Sequence, residues 1–147
     1  MTGTTGEFRE NSDAVQAHLQ IAQSVIGRMS TNSASCKAWC IALVSAIIVV
    51  VADKGQARYA AVAAIPTVLF LALDTYYLGL ERRFRNSYNA FIDKLHRGRV
   101  GANDLYHIVP TGGSLEHFVR SLLSFSIWPF YLTLGAMIVM AQQIMLK

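Results

Sequence analysis

The sequence predicts an all-α membrane protein: three transmembrane helices, with a cytoplasmic bundle formed by an N-terminal helix and the extension of the second span. Three observations lead there. The chain of 147 residues is 53% hydrophobic, only 15% charged and has a mean hydropathy of +0.35, a balance that suits lipid better than water. The apolar excess is concentrated in blocks at 38–52, 59–79 and 122–146. The second block also passes without a turn signal into an arginine-rich amphipathic segment, so residues 59–97 read as one rigid stalk.

Residues 1–12 are rich in Thr, Gly, Glu and Asn, with Phe8 the one large apolar side chain, and are expected to form a flexible tail. From Asp13 the pattern changes. Val15, Leu19, Ala22, Val25, Ile26 and Met29 recur at helical spacing, which makes 13–35 an amphipathic cytoplasmic helix with Ser12 or Asp13 as its N-cap. Gln16, Gln20, Gln23 and Ser24 take the other side. No proline or glycine interrupts Ser30 to Ser35, so the helix is expected to continue, with at most a slight kink, into the first span at 36–54. That span is short. A hydrocarbon core of about 30 Å needs roughly 20 helical residues, so the span must recruit residues before Lys37, whose stem snorkels to the interface.

Residues 53–58 form a short polar turn, which makes the first two spans an antiparallel hairpin. The second span, 59–79, contains Pro66, which neighbouring helices can accommodate, and reaches Asp74. A carboxylate at that depth needs a partner. The base at the matching depth is Lys37, so the two are expected to clasp the helices together; an ion-coordinating role for Asp74 is the alternative. Tyr76 and Tyr77 mark the interface. In the stalk extension, 80–97, Leu80, Phe84, Tyr88, Phe91, Ile92 and Leu95 form one apolar stripe, and its natural cover is the N-terminal helix.

Residues 98–114 are expected to be loop, with a turn around Asp104. Ser114 then caps a short amphipathic helix at 115–121 that leads into the third span, 122–146, where Trp128 and Pro129 set a kink. Lysine and arginine are densest between the second and third spans. The positive-inside rule therefore places that segment and the N-terminus in the cytoplasm, and the C-terminus outside. No cleavable secretory signal is visible, so the first span is expected to be retained.

Little in the chain supports catalysis. There is no nucleophile elbow, no Walker loop and no zinc spacing, so an enzyme is not expected, nor a metal or cofactor. His18, His96, His107 and His117 are scattered. Cys36 and Cys40 stand one turn apart at the cytoplasmic end of a span, where thiols stay reduced, and read as small packing residues. Arg82, Arg83, Arg85, Arg97, Arg99 and Arg120 admit two readings. They follow from topology and from attraction to anionic membrane lipid, or they form a phosphate-binding surface that a symmetric oligomer multiplies into a ring. Gly112, Gly113 and the helix opening at Ser114 would help hold an anion. For a conduction path the candidates are Ser126 and Thr133 on one face of the third span, with Met137 and Met140 as an apolar constriction. The competing reading is that these hydroxyls bond their own helix backbone.

The run DTYYLGLERRFRNSYNAF at 74–91, leaving a membrane span, and AHLQIAQSVIGRMSTNSASCKAW at 17–39, entering one, resemble small membrane effectors of bacterial anti-phage defence. The group is the transmembrane effector of Hailong-type systems, encoded beside a nucleotidyltransferase, with the membrane effectors of CBASS and Pycsar systems as more distant analogues. The resemblance covers residues 15 to 95 and leaves the third span out. It implies a homo-oligomeric, tetrameric channel in the bacterial inner membrane. The ligand would be a nucleotide or single-stranded DNA oligomer made by the partner enzyme, which holds the channel closed. Its destruction during infection would open the pore, depolarise the membrane and arrest growth. The competing classes are a non-conducting membrane anchor or assembly subunit, and a pore-forming toxin without a ligand.

Overall fold

The computed structural model describes residues 8–145, whose regular structure is all helical, with no strand: α1 (Asp13–Lys54), α2 (Ala64–His96), α3 (Ser114–Leu122) and α4 (Trp128–Met145), with 3-10 segments at Ala57–Ala63 and Ala102–Asp104. Residues 1–7 of the expected tail, the last residue of the third apolar block at 146, and residue 147 lie outside the described residues.

α1 is one continuous helix of 42 residues. The polar stretch Ser30 to Ser35 does not break it, because serine, threonine and asparagine cost a helix only tenths of a kcal/mol each when no proline intervenes. Ser12 is its N-cap in extended conformation, with Asp13 in the first turn facing the positive end of the dipole. Gly55 stops the helix at φ +61, a left-handed residue whose N–H returns to the Ala52 carbonyl. At 1.5 Å per residue α1 is about 63 Å long, twice a hydrocarbon core. The chain then reverses.

The second apolar block does not begin as an α-helix. Residues Ala57–Ala63 wind as a 3-10 segment in which Ala57, Ala60 and Ala63 are buried. A repeat of three places these alanines in one line, and the absence of bulk lets that line lie close to α1 and α4. α2 takes over at Ala64 with Pro66 in its first turn, where a missing N–H costs nothing. It then runs unbroken to His96.

Two cores hold the hairpin. Near the turn, Cys40 and Val44 of α1 meet Ala63 and the inward face of α4, which carries Tyr131, Leu134 and Ile138, together with Ile127. At the open end, Val15 of α1 packs against Phe91 and Leu95 of α2, with Leu19, Val100, Leu105 and Phe8 around them. Phe8 is therefore docked, and Ser12 N–H bonds the Arg9 carbonyl, so the chain from residue 8 onward is not a free tail.

The third apolar block departs from expectation as well. α3 ends at Leu122, residues 123–127 form turns, and α4 starts afresh at Trp128. Pro129 accounts for this. Its ring would collide with the Phe125 carbonyl in a continuing helix and it offers no N–H, whereas at the start of a helix it is accommodated. Ser124 closes the turn, its carbonyl accepting from Ile127 N–H at 3.0 Å and its hydroxyl from Ser126 N–H at 3.4 Å.

α1 and α2 with its 3-10 lead are each long and apolar enough to cross a membrane. Their most apolar windows are only 22% buried, with Trp39, Val49, Ile65 and Val68 all more than 60% exposed. A core helix of a soluble protein would hide such residues.

Candidate functional site

The most deeply buried charge is Asp74, with no exposed surface, on the face of α2 turned to α1. Ser33 and Lys37 stand one turn apart on α1 and converge on it. The Ser33 hydroxyl donates to Oδ1, and Lys37 Nζ lies 2.5 Å from Oδ2. Lys37 also reaches Ser33 Oγ at 3.5 Å and keeps 22% of its side chain exposed, so its stem leads outward from the clasp. The ammonium occupies the place a bound cation would take beside this carboxylate. From α4, the Tyr131 hydroxyl is buried facing Asp74 and the two thiols, and it completes no hydrogen bond among the described residues. Cys36 and Cys40 are both free and buried on the same face of α1 as Ser33 and Lys37. Sequence reading did not single out Ser33 or Tyr131. Ser33 had a usable signal, its position four residues before Lys37.

The six arginines do not gather into one cluster. Arg82 is turned onto the end of α3, donating to the Arg120 carbonyl at 3.1 Å, Ser121 Oγ at 3.3 Å and Ser124 Oγ at 2.8 Å. It works as a clamp on one carbonyl near the helix end and on two serine hydroxyls beside it. Arg83 donates to the Pro110 carbonyl at 3.3 Å, and its Nε is buried with no hydrogen-bond partner among the described residues. Arg85 pairs with Glu81 one turn back at 2.8 Å. Arg97 and Arg99 are exposed beyond the far end of α2. Arg120 is exposed and shares with Arg82 a cleft of about 1060 Å3 between α2 and α3.

The loop between α2 and α3 is stapled along α2. Ser87 donates to the Val109 carbonyl at 2.8 Å and Thr111 to that of Arg83 at 3.5 Å, while Lys94 pairs with Asp104 at 2.7 Å. His18 is where this loop meets α1. It is 4% exposed, its ring lies 4.1 Å from that of Phe91, and its Nδ1 accepts the Tyr106 N–H at 2.9 Å. Tyr106 itself sits at φ +60, which is unusual for a bulky residue. Burial lowers the His18 pKa below 6.5, against the pull of Asp104 in the other direction. Asp104 is in turn held below 3.8, first by its hydrogen bond from Lys94 and then by the Gly101 N–H. A cavity of about 290 Å3 opens beside this junction, lined by His18, Tyr88, Lys94, Asp104 and His107 among others. His96 lies 3.5 Å from Glu10, and His117 packs against Gly112, whose φ of +96 brings the backbone under the imidazole.

The pore candidates are divided. Ser126 lies in the turn before α4, so it does not share a helix face with Thr133; Pro129 is again the reason. Thr133 is exposed and donates to the Pro129 carbonyl of its own helix at 2.7 Å. Met137 and Met140 are exposed on that same side of α4, opposite the buried Tyr131, Leu134 and Ile138. Among the described residues no group of His, Cys, Asp or Glu is arranged to hold a metal. No protein-family model matches the chain, and no curated protein or solved structure matches it either.

Proposed function

We propose that this chain is a homo-oligomeric membrane channel effector, gated from the cytoplasm by a nucleotide or short single-stranded DNA oligomer and arresting growth when open. α1, α2 and α4 are its three spans, with the N-terminus and the open end of the hairpin in the cytoplasm and the C-terminus outside. The observation that supports this reading is mechanical. α1 and α2 each run unbroken from an exposed apolar layer into the Val15–Phe91–Leu95 core, so a displacement at one end is carried as a rigid rod to the other. The clasp of Ser33, Lys37 and Asp74 lies on that route, between the two layers.

Of the six arginines, Arg83 and Arg85 are taken up by internal partners and Arg82 keeps two of its five N–H donors, whereas Arg97, Arg99 and Arg120 are exposed to a phosphate from solution. Oligomer symmetry would multiply them. The test is ion flux from liposomes containing the full chain, with and without oligodeoxynucleotide. Flux that responds to the oligonucleotide, and whose response weakens with added salt and in Arg97→Gln/Arg99→Gln, is the expected result. Flux indifferent to it indicates a ligand-independent toxin, and no flux under any condition excludes a channel.

A non-conducting anchor is the second reading. The internal bonding of Thr133 and the ammonium already placed on Asp74 favour it, since both leave the spans without a free polar stripe. Absence of flux together with capture of a partner through the open end of the hairpin would select it.

A further inference from the structure

One face of α3 carries a stripe that none of the described residues covers. Leu115 is 75% exposed, Leu123 is 69% exposed, and Val119 between them is also exposed. Spaced by four, the three side chains stand one above another, and Phe125, 87% exposed, extends the stripe beyond the helix end. The cleft between α2 and α3 runs beside it, with Arg82 and Asn86 on the α2 wall and His117 and Arg120 on the α3 wall.

The height of this feature along the molecule decides what it meets. α3 crosses α2 at Gly79, where a Cβ would come within 3.6 Å of the His117 carbonyl. Gly79 is the last residue of the apolar run, Tyr76 and Tyr77 lie one turn to one side, and the arginines begin one turn to the other. An amphipathic helix at that level, apolar on one flank and basic on the other, has the character of an interfacial helix.

We propose that the α2–α3 cleft binds an anionic phospholipid, its phosphate between Arg120 and Arg82 and its acyl chains along Leu115, Val119, Leu123 and Phe125. This rests on the reading that α1 and α2 cross a bilayer. Arg82 is suited to the task because three of its five N–H donors are already fixed on α3 and the turn after it, which holds the remaining ones in place. Arg120 contributes an exposed guanidinium, and the two outweigh Glu116, the carboxylate in the lining. The lining also separates lipid from nucleic acid. Apart from the His117 imidazole the cleft offers aliphatic carbon, with the single Phe125 ring beyond it, which falls short of the successive aromatic platforms on which bases stack, whereas acyl chains need only apolar surface.

Trp128 lies one turn beyond Phe125 and is 39% exposed, so it reports on this place once Trp39→Phe leaves it the sole tryptophan. The full chain is reconstituted in phosphatidylcholine vesicles with increasing brominated phosphatidylglycerol, and compared with brominated phosphatidylcholine. Phosphatidylglycerol is expected to quench Trp128 with a preference of roughly fivefold, set by one interfacial arginine. Arg120→Gln should bring the preference close to one, while Arg99→Gln leaves it unchanged. Equal quenching by both lipids overturns the site, as does an Arg99→Gln effect as large as that of Arg120→Gln. Displacement of phosphatidylglycerol by a short oligodeoxynucleotide also overturns it and assigns the cleft to nucleic acid. Quenching by neither lipid, with the chain left outside the vesicles, sinks the membrane reading itself.

Discussion

Replacing Lys37 with methionine should cost more stability than replacing Asp74 with asparagine. At a separation of 2.5 Å and an effective dielectric of about 20, the gross attraction of the pair is about 7 kcal/mol. Most of this offsets desolvation, which falls unequally on the partners. Asp74 has no exposed surface, whereas Lys37 retains 22%. In Lys37→Met the carboxylate keeps only the Ser33 hydroxyl, and a buried charge stripped of its partner destabilises by about 3–5 kcal/mol. In Asp74→Asn the amide oxygen still accepts from Ser33, and the ammonium can swing outward along its stem, so the loss is that of a charged hydrogen bond, about 1.5–3 kcal/mol. Lys37→Met/Asp74→Asn should then cost no more than Asp74→Asn alone. The coupling energy from this cycle is about 3 kcal/mol or more, against about 0.6 kcal/mol for ordinary hydrogen bonds between membrane helices. Unfolding in mixed lipid–detergent micelles titrated with dodecyl sulfate, followed by helicity, measures all four variants. A coupling near 0.6 kcal/mol, or Asp74→Asn costing more than Lys37→Met, would refute the argument that the clasp matters through the burial of its acid.

Four further outcomes follow from the open end of the hairpin and from α3. His18 has a folded pKa lowered from 6.5, so its contribution to stability is fully present above pH 6.5 and is lost as pH falls through the depressed value; His18→Gln should flatten that step in unfolding curves. Asp104, lowered from 3.8, adds a separate loss below about pH 4 that Asp104→Asn removes, provided the unfolded state carries its ordinary pKa. Gly112→Ala should destabilise by about 1–3 kcal/mol, because it places a side chain at φ +96 and against the His117 imidazole; thermal unfolding reads this, and no change would mean the loop relaxes freely. Arg82→Met removes three donors from the end of α3 and should cost about 1.5–3 kcal/mol, with faster proteolysis at 123–127 as its local signature.

The helical class was legible because apolar runs and helical periodicity are properties of a single strand of sequence. Val15, Ala22 and Ile26 announce a face, and the missing proline or glycine between Ser30 and Ser35 leaves nothing to end the helix. Depth along two antiparallel runs is likewise one-dimensional, so counting places Lys37 and Asp74 at one level. Rotation about the helix axis is what counting misses. It decides that Ser33 shares Asp74 and that Tyr131 faces the same point from α4. The arginines show the limit most clearly. Four residues of sequence bring Arg82, Arg83 and Arg85 together, but each points to a different partner, one of them across 38 residues of chain. Pro129 was read as a kink where it forces a restart, because the cost of its collision with Phe125 is relieved entirely once Ser124 has closed a turn.

The line of alanines at Ala57–Ala63 also changes the reach of the hairpin. A 3-10 segment rises about 2.0 Å per residue against 1.5 Å in an α-helix. Seven residues therefore cover about 14 Å instead of about 10.5 Å, the travel of roughly two additional α-helical residues. The returning limb of the hairpin climbs the same height as α1 with fewer residues, and it does so at the end where α4 leans on it. Length along the hairpin axis is thus set in part by how tightly a run of alanines is wound.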